Sequence, residues 1–223
     1  MVHGLAGSFD STWEQPGIAQ LVRDFGREVV GVDLLGHGRA PKPHNPEDYS
    51  DMTIRVLEAI PENESVDAVG FSMGAITLVQ AMIENPNRFH CVLLAGIGDG
   101  LFQRQPAEHR TRIAAGIRGD APEDDKYARQ FGHYARQGEN DVDALSAIFM
   151  RPERDPLKPE QLGAFTGRVL VVIGDRDEAF PAEQLAASFP NGQLKVLKNV
   201  DHFATPEDFG FIDSLLNFLE SDS

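Results

Sequence analysis

A chain of 223 residues with 41% apolar side chains is long enough for one substantial core and too hydrophobic to be disordered. A net charge of −15 argues against nucleic acid or an anionic membrane surface as partner and reads as a well-solvated acidic surface. The single cysteine, Cys91, cannot close an internal disulfide and sits in an apolar run, so it reads as a small core residue in a reducing compartment. No charged start with an apolar stretch opens the chain and no run approaches a membrane span, which makes the cytoplasm the default, with the chain a monomer or homodimer.

Short β-branched-rich runs alternate with helical patterns. The predicted strands are Glu28 to Asp33, Val66 to Phe71, His90 to Ala95, Arg168 to Ile173 and Gln193 to Val200. Each is nearly continuous in apolar residues, as strands covered on both faces should be. Helical patterns lie between the first four, Pro181 to Phe189 precedes the last, and Pro206 to Leu219 closes the chain. The expectation is an α/β fold: a mostly parallel twisted sheet with helices on both faces. From 99 to 166 the strand rhythm stops, and polar helical stretches follow: Pro106 to Ile117, Pro122 to Gln137 and Asp141 to Met150. A helical layer on one sheet face would also fit. Its position after the strand ending at Ala95 favours a lid over the strand ends, with residues 1–98 and 167–223 as the core domain and 99–166 as the lid.

Gly70-Phe71-Ser72-Met73-Gly74 joins a predicted strand to a predicted helix, the layout of a nucleophile elbow. The turn is tight, and bulk two residues to either side of Ser72 would collide with its neighbours. A serine hydroxyl needs a base to take its proton during attack, and histidine titrates near neutrality. His202 follows the last predicted strand, on the same sheet edge as Ser72. Asp177, after the penultimate strand, completes the chain order Ser…Asp…His and would orient the imidazole. Asp99 also follows a strand and could approach His202 from the other side. For the charge developing on a substrate oxygen, the Met73 backbone N–H at the helix start is one donor and Leu5 N–H, in His3-Gly4-Leu5-Ala6-Gly7, the second.

These pieces resemble the α/β-hydrolase fold from His3 to the last helix. Val2-His3-Gly4-Leu5 matches its oxyanion loop, Asp33-Leu34-Leu35-Gly36-His37-Gly38 the turn after the next strand, and Gly174-Asp175-Arg176-Asp177 the acid turn. The resemblance selects Asp177 over Asp175. It implies a Ser-His-Asp hydrolase of esters, thioesters, lactones, amides or, in some branches, carbon–carbon bonds, and is strongest to small lidded carboxylesterases, enol-lactonases and haloperoxidase-like esterases. Relatives carry two or three strands before the His-Gly loop. Either an edge of the sheet is missing here or the natural reading frame begins upstream. Ala40 stands where the family turn ends in serine.

His3 and His37 lie in glycine turns and are expected to bind backbone. Phe71, Phe102, Phe180 and Phe203 flank the predicted site as candidate pocket walls. No His-x-x-x-His or cysteine cluster points to a metal, and no cofactor is expected.

Overall fold

The computed structural model describes residues 1–104 and 106–220. Helices α1 (Ile18–Asp24) and α2 (Ile54–Glu58) precede strand β1 (Val66–Phe71). Helix α3 (Met73–Glu84) leads to β2 (Phe89–Ala95). Then come α4 (Ala107–Arg118), α5 (Lys126–Ala135), α6 (Val142–Met150) and α7 (Pro159–Leu162). Strand β3 (Arg168–Gly174), α8 (Glu183–Ala187), β4 (Gly192–Leu197) and α9 (Phe209–Glu220) complete the order. The strands lie side by side as β1-β2-β3-β4, every pair parallel, because a helical crossover separates each from the next.

Successive strand residues face opposite sides. Val92 and Leu94 of β2 and Val171 and Ile173 of β3 pack with Leu78 and Val79 of α3 and Leu185 of α8. Leu93, Ala95 and Val172 turn the other way, onto Trp13, Ile18 and Val22 before the sheet and Phe211 and Leu215 of α9. Two-sided burial is why β2 and β3 read as unbroken apolar runs. Strand β4 departs from that expectation. It is an edge strand with Gln193, Lys195 and Val196 exposed, and it stops at Leu197 because Asn199, at φ 63°, turns the chain.

The expected strand from Glu28 to Asp33 does not form. Val32 makes one parallel bridge to Val2, which also bridges Gly70. Val2 N donates to Val69 O (2.8 Å), Phe71 N to Val2 O (3.1 Å) and Val32 N to Met1 O (3.1 Å). Among the described residues no further bridge forms along 28–33, and Glu28, Val30 and Gly31 stay exposed. An apolar run signals a strand, but pairing with a neighbour decides whether a ladder follows.

Between β2 and β3, α4 packs on α5 and α6, and α6 rests on the turn Pro46–Tyr49. Ile113, Ile117, Leu145 and Ile148 of these helices continue the first core cluster. Asp125 caps α5 through Ala128 N, and Asp141 caps α6 through Asp143 N and Ala144 N. Among the described residues no helix is long and apolar enough to cross a membrane.

Candidate active site

Strand β1 ends at Phe71 and α3 begins at Met73, so Ser72 alone makes the turn, at φ 52° and ψ −115°. A non-glycine residue avoids that region unless its surroundings enforce it. Here they do. A Cβ at Gly70 would stand 2.7 Å from Leu78 Cδ1 and 2.8 Å from Ala75 N; one at Gly74 would stand 2.5 Å from His3 O and 2.6 Å from Val2 O. Ser72 N donates to Ala95 O (2.8 Å), tying the elbow to β2.

His202 sits in a turn organised by Asp201, whose carboxylate accepts from Ala204 N (3.0 Å) and whose carbonyl accepts from Thr205 Oγ1 (2.9 Å). Its Nε2 lies 2.9 Å from Ser72 Oγ and its Nδ1 2.8 Å from Asp177 Oδ2. The Asp177 side chain is 1% exposed and the imidazole 19%. Asp177 Oδ1 accepts from Ala179 N (2.8 Å), which fixes the carboxylate. An ionised carboxylate only accepts, so Nδ1 carries the proton and Nε2 presents its lone pair to the Ser72 hydroxyl. The loops carrying acid and imidazole touch through main chain: Arg176 N donates to Val200 O (3.1 Å), and a Cβ at Gly174 would meet that oxygen at 2.0 Å.

Asp99 is occupied elsewhere. Its Oδ1 accepts from Leu185 N (2.8 Å) and its Oδ2 from Gln184 N (3.3 Å), at the start of α8. Asp175 accepts from Asn199 N (2.7 Å), and Arg176 turns to Asn199 Oδ1 (2.7 Å).

The loop after Val2 is a β-turn closed by Gly7 N to Gly4 O (3.2 Å), with Ala6 at φ 59° in the third position, the type II pattern. Such a turn leaves the N–H groups of its two central residues unused, Leu5 among them. Among the described residues no backbone acceptor is paired with Leu5 N or Met73 N outside regular helices and strands. Gly4 is backed against the elbow: a Cβ there would lie 3.3 Å from Ser72 Cβ. His3 Nδ1 donates to Gly4 O (2.7 Å) and Nε2 accepts from Leu34 N (3.0 Å). Burial lowers the His3 pKa, consistent with a neutral ring doing both. His37, also buried and pushed well down, donates from Nδ1 to Leu35 O (3.1 Å). Both histidines hold loops.

Of the four candidate pocket aromatics, the Phe71 and Phe203 rings meet His202, at 5.1 Å and 5.4 Å between centroids. Phe102 is half-buried against the first core cluster, and Phe180 is exposed. It is the backbone of Phe180, through N to Asp177 O (3.0 Å), that faces the acid loop, and among the described residues neither ring contacts His202. The aromatic wall continues instead into α5. Phe203 meets Phe131 (5.7 Å) and Tyr134 (5.1 Å), and Tyr127 backs Phe131 (5.1 Å). Positions 127, 131 and 134 share one helix face, a spacing visible in the sequence that reasoning from the elbow outward did not use. Charges of both signs lie near this wall: the Arg112 guanidinium stands 5.4 Å over the Tyr127 ring. Burial pushes Tyr127 up to about 12, helped by Glu178 and Asp177, and raises Tyr134, helped by Glu207.

Among the described residues two other groupings bring ligand-type atoms together, and both join residues distant in sequence. At the opposite ends of the strands, a register shift sets Asp67 against both His90 and Cys91. Its Oδ1 lies 3.0 Å from His90 Nδ1 and 3.2 Å from Cys91 Sγ, while Oδ2 takes Arg27 (3.0 Å). His44 Nε2 meets Asp141 Oδ2 at 2.9 Å, with Asp143 nearby. Hydrogen bonds account for both. Two surface clefts of about 480 and 510 Å³ open beside His90, away from Ser72.

The chain is similar to known hydrolases. It is 27% identical over 208 residues to the 2-hydroxy-6-oxononadienedioate/2-hydroxy-6-oxononatrienedioate hydrolase of Cupriavidus pinatubonensis, across 80% of this chain and 71% of that protein. It superposes on a hydrolase from Pseudomonas aeruginosa PA01 with a TM-score of 0.73 at 23% identity, covering 98% of this chain and 88% of the other. The enol-lactonase of Burkholderia xenovorans LB400 superposes with a TM-score of 0.71 at 18% identity, covering 98% and 90%. These two likenesses are of fold. A family model described as the alpha/beta hydrolase family matches residues 1–209, and the chain belongs to that family.

Proposed function

We propose that this hydrolase cleaves a small carboxylic ester, lactone or thioester through an acyl-enzyme on Ser72. The observation that carries the reading is the unbroken relay from Asp177 Oδ2 through the His202 ring to Ser72 Oγ, with both gaps under 3 Å (2.8 and 2.9 Å). Ser72 attacks the carbonyl carbon while His202 Nε2 takes its proton, and Asp177 holds the imidazole and stabilises its charged form. Leu5 N–H and Met73 N–H receive the oxyanion, a donor pair worth roughly 2.7–4 kcal/mol each in comparable sites. His202 protonates the leaving group, then activates the water that frees Ser72. Residues 99–166 act as a lid, because Phe131 and Tyr134 reach Phe203 beside the imidazole.

The relative from C. pinatubonensis favours a second reading, carbon–carbon cleavage of a dianionic dienedioate by the same residues. A panel of p-nitrophenyl esters, lactones and a vinylogous diketo diacid separates the two, with Ser72→Ala as control. Ester turnover abolished in Ser72→Ala supports the proposal. Turnover unchanged in that variant removes Ser72 as nucleophile, and turnover of the diacid alone moves the assignment to carbon–carbon cleavage.

A further inference from the structure

The type II turn that presents Leu5 N–H is an expensive one. Its third position calls for glycine, and Ala6 occupies it at φ 59°, where a Cβ costs about 1–2 kcal/mol. Strain of that kind persists where neighbours over-determine the backbone. Two of those neighbours belong to the core: the Gly7 N to Gly4 O bond and the His3 ring, fixed to Gly4 O and Leu34 N. The third comes from 134 residues away. Asn140 Nδ2 donates to Ala6 O at 2.7 Å and to Gln137 O at 2.9 Å, so one amide joins the end of the α5 segment to the strained peptide. The next residue, Asp141, caps α6 and pairs with His44, which anchors the start of that helix to the core domain.

We infer that Asn140 is a positioning residue for the oxyanion loop: its amide holds the Ala6 carbonyl so that the turn keeps Leu5 N–H aimed at the oxyanion above Ser72. The inference deepens the proposed function and rests on it. It also gives the helical segment a part in chemistry as well as in covering the site, because the donor is aligned only while Asn140 is docked. Asn140 itself touches no reacting atom. Its effect should therefore fall on the step that builds negative charge and spare ground-state binding.

The test compares wild type, Asn140→Ala, Asn140→Asp and Ser72→Ala. Readouts are the rate of Ser72 labelling by a fluorophosphonate, kcat and KM for a p-nitrophenyl ester, and thermal midpoint. Asn140→Ala shortens the side chain, whereas Asn140→Asp keeps its shape and replaces both donors by an acceptor facing Ala6 O. The expected result is labelling and kcat reduced about tenfold in Asn140→Ala and further in Asn140→Asp, with KM within twofold of wild type. Labelling and kcat at wild-type levels in both variants would overturn the inference and leave the hydrolase reading standing. So would a loss shared equally by kcat and KM with a lowered midpoint, which is the mark of a merely structural contact. Wild-type protein that is not labelled at Ser72 would overturn the hydrolase reading itself, and the role of Asn140 with it.

Discussion

Replacing Asp177 by asparagine keeps the shape of the side chain but removes its charge and changes which atoms beside His202 donate. In the native site Oδ1 accepts from Ala179 N at 2.8 Å and Oδ2 accepts from His202 Nδ1 at 2.8 Å. An amide must divide these places. Setting its NH2 against Ala179 N–H opposes two donors at hydrogen-bond distance, which costs about 1–3 kcal/mol and selects the other orientation. The carbonyl oxygen then keeps Ala179, and the NH2 points at Nδ1. Nδ1 must now accept, so the ring proton moves to Nε2, which faces Ser72 Oγ at 2.9 Å and can no longer take the hydroxyl proton. Loss of the right tautomer costs about ten-thousandfold in kcat in triads of this kind, about 5.4 kcal/mol of transition-state stabilisation. Steady-state hydrolysis of a p-nitrophenyl ester measures it, with chemical denaturation as a control for folding. Asp99→Asn, which alters only the start of α8, should stay near wild type. An Asp177→Asn enzyme within tenfold of wild type, or an equal loss in Asp99→Asn, would refute the tautomer argument.

Gly74→Ala places a methyl carbon 2.5 Å from His3 O and 2.6 Å from Val2 O, both main chain and unable to swing aside. Destabilisation of about 1–3 kcal/mol by urea titration, with slower labelling of Ser72 as the Val2–His3 segment is pushed away, is expected; an unshifted midpoint at full labelling rate would count against the packing of the elbow. The Asp141 carboxylate beside His44 raises the His44 pKa, with Asp143 adding to it. A folded pKa above the unfolded one stabilises the fold fully below pH about 6.5 and loses that contribution as pH rises through the folded value. His44→Gln should therefore lower the thermal midpoint at pH 5.5 and leave it nearly unchanged at pH 9; a pH-independent difference would assign His44 a packing role.

Most of the sheet was legible because its inner strands, β2 and β3, are buried on both faces and carry that burial as apolar runs; they and β1 lie within a residue of the expected bounds. Ser72, Asp177 and His202 were legible for a related reason, since each stands just past a parallel strand and such ends gather at one edge. What escaped depends on neighbours. Residues 28–33 have a strand's composition but form a single bridge, and the edge position of β4 is a fact about the sheet that its own run does not carry. The aromatic wall was half readable. Phe71 and Phe203 adjoin Ser72 and His202 in the chain, while Tyr127, Phe131 and Tyr134 belong to a helix whose distance from the site no local pattern encodes. Asn140 was silent altogether: a lone asparagine before a helix reads as turn material, and its partner carbonyl is a backbone atom with no sequence signature.

Where Gly174 meets Val200 and Gly74 meets His3, main chain lies directly on main chain. The spacing of Ser72, Asp177 and His202 is thereby set largely by backbone, whereas part of the wall beside them, Tyr127, Phe131 and Tyr134, is made of replaceable rings on α5. A scaffold partitioned in this way can inherit its chemistry unchanged while its selectivity drifts, so substitutions along α5 should retune which molecules are accepted at little expense to the machinery beneath.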